Sequence, residues 1–229
     1  MELAQKWKIF AQMAEIVRRL QSFQLPESIT GFGGVTFNDA GQIVRAEMPT
    51  VGAGPWDLYQ SSFKGRLEVA LRTADANPYI KGWQTNNLRE QLSSKDDRIV
   101  VHAGFNASNL LFDPDSGRIT GLVDYDFATI MHPLHEFSSS FDSTGGQFRG
   151  WDWENARLWE DALEAVEVKR PRNIKGIDKV ANVDTVLQAI LPWRVSNADI
   201  LGLQTEEAIL RCRDENEQHL DKLLSRLGF

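Results

Sequence analysis

The sequence predicts an α+β fold that is mainly α-helical, forming one domain over residues 1–229. Two observations predict it. Apolar residues recur at helical spacing through both ends of the chain, and short β-prone runs gather near residue 35 and in the centre, separated by turn residues. Leu3, Trp7, Phe10, Ala14, Val17 and Leu20 follow steps of three and four, while Lys6, Lys8, Glu15, Arg18 and Arg19 fall largely on the other face. That helix ends before Pro26, because proline cannot continue the amide ladder and biases its predecessor to extended geometry.

Next comes a hairpin. Val35 to Phe37 and Gln42 to Val44 are β-prone, and Asn38-Asp39-Ala40-Gly41 supplies the turn. Asp57 is placed to cap a helix reaching about Ala74, and a further helix is expected over Asn86 to Leu92. Arg98 to Val101, Asn109 to Phe112 and Ile119 to Val123 read as three short strands, the last two joined by Asp113-Pro114-Asp115-Ser116-Gly117. A polar loop, His102 to Ser108, separates the first strand from the second. Helices are then expected at about 133–141, 154–167, 180–192 and 205–227. In the last, Ile209, Leu210, Leu220, Leu223, Leu224 and Leu227 form the core face.

Composition narrows the function. With 42% hydrophobic residues, the 229-residue chain can bury a substantial core. It carries 25 Lys and Arg against 32 Asp and Glu, a net charge of −7 with no basic run, which argues against nucleic acid or an anionic membrane as partner. The single cysteine, Cys212, excludes an intrachain disulfide and a cysteine-rich zinc site, and reads as a buried small hydrophobe. The first 20 residues carry charges throughout and lack the apolar stretch of a signal peptide. No window approaches the roughly 20 apolar residues of a membrane span. The expected setting is cytoplasmic.

The chemistry gathers at the central loop. Kinase catalytic loops read His-x-Asp-x-x-x-x-Asn, followed by a metal-binding Asp at the end of a later strand. The Asp accepts the substrate hydroxyl's proton, the Asn holds a magnesium ion, and the later Asp bridges metal to phosphate. His102 and Asn109 keep that spacing, and a strand–turn–strand leads to Asp124 in the run Asp-Tyr-Asp-Phe-Ala. Two residues after His102, where the base belongs, stands Gly104.

The segment VVHAGFNASNLLFDPDSGRITGLVDYDFATIMHP resembles the aminoglycoside phosphotransferase and choline kinase group. Members of that group read V-H-x-D-L-x-P-x-N-I-L-V-D and then G-[IL]-[IL]-D-[FW]-[DE]. The likeness extends to fungal members through ADANPYIKGW before the motif and HPLHEF, GIDKVANV and ILPWRVSNADIL after it, so it covers essentially the whole chain. The resemblance implies a protein-kinase-like C-terminal lobe, with short hairpins around the former catalytic loop. By residue, Asn109 and Asp124 match the two magnesium ligands and His102 the loop histidine, which in the group mainly braces the loop.

There are departures. Gly104 replaces the catalytic aspartate, and Phe105 and Ala107 replace the usual Leu and Pro. Residue 1 falls where the first helix after the interlobe hinge begins in the group, so the nucleotide-anchoring N-lobe is expected to be missing. General-base assistance is worth about 10²–10⁴-fold, and phosphoryl transfer rests on positioning and electrostatics. ATP-dependent transfer is therefore not expected.

Three functions remain open. The first is a repurposed small-molecule enzyme, of the kind found in fungal specialised metabolism, running acid–base isomerisation, cyclisation or hydrolysis. Its catalytic candidates are His102, Asp124 and Asp126, and Asn106, Asn109, Trp151, Trp153 and Trp193 are its substrate-binding candidates. The second is a non-catalytic pseudokinase module, whose apolar upper face is covered by a partner or a second copy where the N-lobe is missing. The third is a residual phosphotransferase. No cofactor is required by the first two, and Mg²⁺ is the ion Asn109 and Asp124 would hold.

Each candidate also has a structural reading. Asp124 is equally well read as capping loop amides, and His102 as a brace hydrogen-bonded to backbone. Asp126 and Glu136 are read either as joining Asp124 in an acidic cluster or, more commonly, as solvated or paired with arginine. His132 and His135 have a ligand's spacing but no third ligand in view.

Overall fold

The computed structural model describes residues 2–80, 98–140, 153–174 and 185–227. It is α+β and mainly helical, as expected. The described residues gather into two compact units, Met1–Tyr59 with Lys95–Ile177, and Gln60–Ser94 with Asp178–Phe229.

The first unit opens with α1 (Leu3–Ser22), which buries Phe10, Met13, Ala14 and Val17. Those residues are one turn apart on a single stripe, so the periodicity was informative. Leu3 and Trp7 lie on the same stripe but are exposed. Strands β1 (Gly33–Phe37) and β2 (Ile43–Ala46) form the expected antiparallel hairpin, with Thr36 opposite Val44. The Asn38 side chain closes its turn by accepting from the amides of Ala40 and Gln42. β1 is close-packed behind, since a Cβ on Gly34 would lie 2.0 Å from the carbonyl oxygen of Glu47.

β3 (Ile99–Val101), β4 (Leu110–Asp113) and β5 (Arg118–Leu122) fall where the sequence puts them. A further strand, β6 (Thr129–Met131), was not anticipated. It is central: the sheet runs β2-β1-β6-β3, with Gly33 opposite Ile130 and Val101 opposite Thr129. β4 and β5 pair separately. Their turn is held by α1, where Lys8 donates to the Ser116 carbonyl. The Gln12 amide accepts from Ile119 N–H at 2.9 Å and donates to the Gly117 carbonyl.

Helix α2 (Tyr59–Ala76) passes into the second unit after its first residue. Helices α3 (Leu134–Ser140) and α4 (Trp153–Ala165) complete the first unit. Its core combines the α1 stripe with Phe105, Phe137 of α3, and Leu158, Trp159, Ala162 and Leu163 of α4. Trp159 is fully buried, with Phe10 edge-on at 6.4 Å.

The second unit contains α2, α5 (described over 185–190), α6 (Trp193–Ser196), α7 (Ala198–Leu201) and α8 (Glu206–Leu227). Asn197 caps α7 by accepting from Ile200 N–H, and Asn77 donates to the Val195 carbonyl. On α8, Ile209 and Leu220 are buried as expected. Cys212 is only half-buried, with its carbonyl taken by the Asn216 amide. The helix expected over Asn86 to Leu92 lies outside the described residues. No described helix is long and apolar enough to cross a membrane.

Candidate functional site

β3 delivers His102 into the loop, and a single 3-10 turn, Ala107–Asn109, leads out of it into β4. Phe105 anchors the loop by burying its ring in the core, which is why an aromatic side chain is accommodated there. Asn106 accepts from Ser108 N–H at 2.9 Å and so caps the 3-10 turn.

Polar groups of the loop point back at its own backbone. His102 is fully buried. Its Nε2 lies 2.9 Å from the Val123 carbonyl, which can only accept, so Nε2 carries the proton. Nδ1 is then an acceptor, and it takes the Gly104 N–H at 3.2 Å. Neither ring nitrogen is left for a ligand. The Gly104 carbonyl receives two side-chain amides, from Asn106 and Asn109, each at 2.9 Å. With one of its two N–H donors so engaged, Asn109 keeps Oδ1 as its acceptor.

Position 104 has room. A Cβ there would approach nothing closer than 3.5 Å, in ordinary contact with His102 and Asn109, and the backbone is not left-handed. Glycine is therefore not a steric necessity at the place where the motif has its aspartate.

Asp124 follows on the segment after β5. Its φ is 66°, a left-handed backbone that Asp adopts more readily than most residues, and such strain concentrates at functional sites. Asp124 and Asp126 are both exposed. The capping of loop amides by Asp124 is not seen among the described residues. Tyr125, between them, packs its ring edge-on against His102 at 4.6 Å. Though about half of Tyr125 is open to solvent, the partial loss of water around its phenol raises its pKa above the ordinary value, with help from the Glu136 carboxylate.

Glu136, read from sequence as part of an acidic cluster or as solvated or paired with arginine, is buried against backbone amides instead. It accepts from the amides of His102 at 2.6 Å and Ala103 at 3.2 Å. No group of three His, Cys, Asp or Glu suited to a metal occurs among the described residues. His132 packs its buried ring on Tyr59 at 5.4 Å. Trp151 lies outside the described residues, Trp153 opens α4, and Trp193 is exposed on α6 in the second unit. Tyr125 and the roles of Phe105 and Glu136 were missed by sequence reasoning. A tyrosine inside the Asp-Tyr-Asp run was the one available signal.

Residues 2–171, which include this loop, both hairpins and α4, match the phosphotransferase enzyme family, APH. The chain belongs to that family. Among solved structures, the gentamicin–APH(2")-IIa complex is similar, with a TM-score of 0.52 at 12% identity, over 95% of this chain and 64% of that one. A thermostable mutant of aminoglycoside phosphotransferase APH(4)-Ia in apo form has a TM-score of 0.47 at 15% identity, over 100% of this chain and 69% of that one. At such identities the first likeness establishes a shared APH fold.

Of the curated proteins, acyl-CoA dehydrogenase family member 11 of Gallus gallus is 27% identical over 79 residues. That stretch is 34% of this chain and 10% of the relative. The chain thus spans about two thirds of the solved relatives and a tenth of the curated one. Within the APH family pattern, Asn109 Oδ1 and the Asp124 carboxylate are hard oxygen donors. Such oxygens are the donor type that Mg²⁺ takes, alongside its own waters.

Proposed function

We propose that this APH-family chain binds a small molecule at the 102–126 face and does not transfer phosphate. The observation that carries the reading is Gly104. The loop around it keeps its hydrogen bonds, yet the residue at its centre has no side chain to take a proton from an alcohol. Loss of a general base costs about 10²–10⁴-fold in rate.

In this reading the fully engaged His102 is a brace, and proton chemistry falls to the exposed carboxylates of Asp124 and Asp126. Asn106 and Asn109 border the substrate, and isomerisation, cyclisation or hydrolysis are the reaction classes such groups serve. The test is turnover by the purified chain. A metabolite panel is expected to yield a ligand whose conversion is lost in Asp124→Ala, while Mg-ATP with alcohol acceptors yields no phosphorylated product. Phosphate transfer at an ordinary enzymatic rate would overturn the reading.

A second reading, a non-catalytic binding module, is favoured by a separate observation. Leu111, Phe112, Val123, Tyr125 and Phe127 are all exposed on β4 and on the segment after β5. Exposed large apolar side chains gathered on two neighbouring segments are the raw material of an interface. Light scattering tests it: a dimer or a captured partner supports the module, and a clean monomer with no protein partner argues against it.

A further inference from the structure

Gln21, in the last turn of α1, holds the backbone of Lys169 by both of its polar groups. Its amide nitrogen donates to the Lys169 carbonyl and its oxygen accepts from the Lys169 N–H, each at 2.8 Å. α1 thus fixes the segment after α4, and beside this clamp the surface sinks into a recess of about 330 Å³. That volume is near the lower end of small-ligand sites, about 300–1,000 Å³. One wall is the start of β3, so the recess sits at the opposite end of that strand from the loop that begins with His102. Arg18, Arg98 and Lys169 line it against one acid, Glu167, in a chain whose net charge is −7.

The cations are not equally committed. Arg18 gives Nε and Nη2 to the Glu15 carboxylate, both at 2.6 Å. A cation near a helix C-terminus also complements the helix dipole, which accounts for its place on α1. Arg98 precedes β3 and has no such reason. One N–H of its guanidinium goes to the Ile29 carbonyl at 3.1 Å, and no carboxylate pairs with it among the described residues. The remaining donors form part of a planar fork whose geometry matches phosphate oxygens in pairs. Glu167 is unusual in its backbone. Its φ is 56°, a left-handed conformation uncommon for glutamate, and its N–H donates to the Glu164 carbonyl at 3.0 Å. Strain of this kind gathers at ligand sites.

We propose that this recess is a second ligand site, which takes the phosphate group of a small hydroxylated phosphomonoester. Arg98 supplies charge-assisted hydrogen bonds to the phosphate oxygens. Lys169 adds positive charge, and the Glu167 carboxylate accepts from a ligand hydroxyl. Phosphate is bound here and not transferred. The site draws on neither Gly104 nor the 102–126 face.

NMR of the full chain tests the proposal, with inorganic phosphate and glycerol phosphate as probes at a fixed ionic strength of about 0.1 M. The amide signals of Ser22 and Lys169 and the Arg98 Nε–H signal are expected to shift and saturate. Half-saturation by glycerol phosphate should come at about 1 mM or below, and at least about threefold below that of inorganic phosphate. Arg98→Gln should weaken binding about tenfold or more. Arg211→Gln removes the same charge from α8 in the second unit and should change binding by less than about twofold. Should Arg98→Gln disturb the fold, Lys169→Gln reads the same recess and should weaken binding about threefold or more.

Shifts that grow without saturating, or equal weakening by Arg98→Gln and Arg211→Gln, would show an adventitious ion only and overturn the proposal. So would equal affinity for the two probes. Neither probe is a substrate of the proposed chemistry. Saturation here with no metabolite turnover would therefore sink the proposed function and leave the recess standing.

Discussion

The imidazole of His102 reaches the carbonyl of Val123 at 2.9 Å, tying the start of the loop to the residue that follows β5. The other ring nitrogen meanwhile holds Gly104 N–H. Removing the fully buried ring leaves a cavity and two part-buried backbone groups, the Val123 carbonyl and the Gly104 N–H, without these partners. His102→Ala should lower unfolding stability by about 2–4 kcal/mol, from the cavity together with the two part-buried polar groups left unpaired. Urea denaturation measures it. A loss under about 0.5 kcal/mol would mean that the ring is not a brace.

Gly34 and Gly104 make opposite predictions from the same substitution. At Gly34 an added methyl would press into the Glu47 carbonyl at 2.0 Å, whereas at Gly104 it finds ordinary contact. G34A is expected to cost about 1–3 kcal/mol or more through overpacking. G104A should fall within about 0.5 kcal/mol of the wild type. Paired thermal melts compare them directly.

Trp159 carries much of the first unit's core, being fully buried against Phe10. Trp159→Ala should cost about 3–5 kcal/mol, read as an earlier midpoint in guanidinium.

On the surface of α1, Glu15 is held down to about 2 from its ordinary 4.5. The Arg18 hydrogen bond is the main cause, with Arg19 assisting against the upward push of desolvation. A depressed carboxylate contributes stability above pH 4.5 and loses it as pH falls toward 2. Because the group is well solvated, the contribution is under about 1 kcal/mol. Glu15→Gln should be less stable by that amount at pH 7. The gap should close on acidification and shrink in high salt, as a series of urea melts would record.

Much of this was legible beforehand because it depends on side-chain period and turn chemistry. The α1 stripe, the hairpin turn at Asn38 and the spacing of His102 to Asn109 each leave a direct mark in the sequence. β6 leaves none. Its three residues are all buried, so they show no alternation, and three residues are too few to show a period. Glu136 was misread for a related reason. Its partners are backbone amides from a segment 33 and 34 residues away, and backbone carries no sequence signature. An acid in the first turn of a helix ordinarily reads as a solvated dipole partner.

The Gln12 side chain does for β5 what a neighbouring strand would do. Its primary amide offers one acceptor and one donor to consecutive rungs, Ile119 and Gly117, in imitation of a peptide unit. A lone two-stranded ribbon is only marginally stable in water, and its open margin invites stray chains to add on. Here a single glutamine occupies two of those open backbone groups, so fewer remain for a stray chain to pair with.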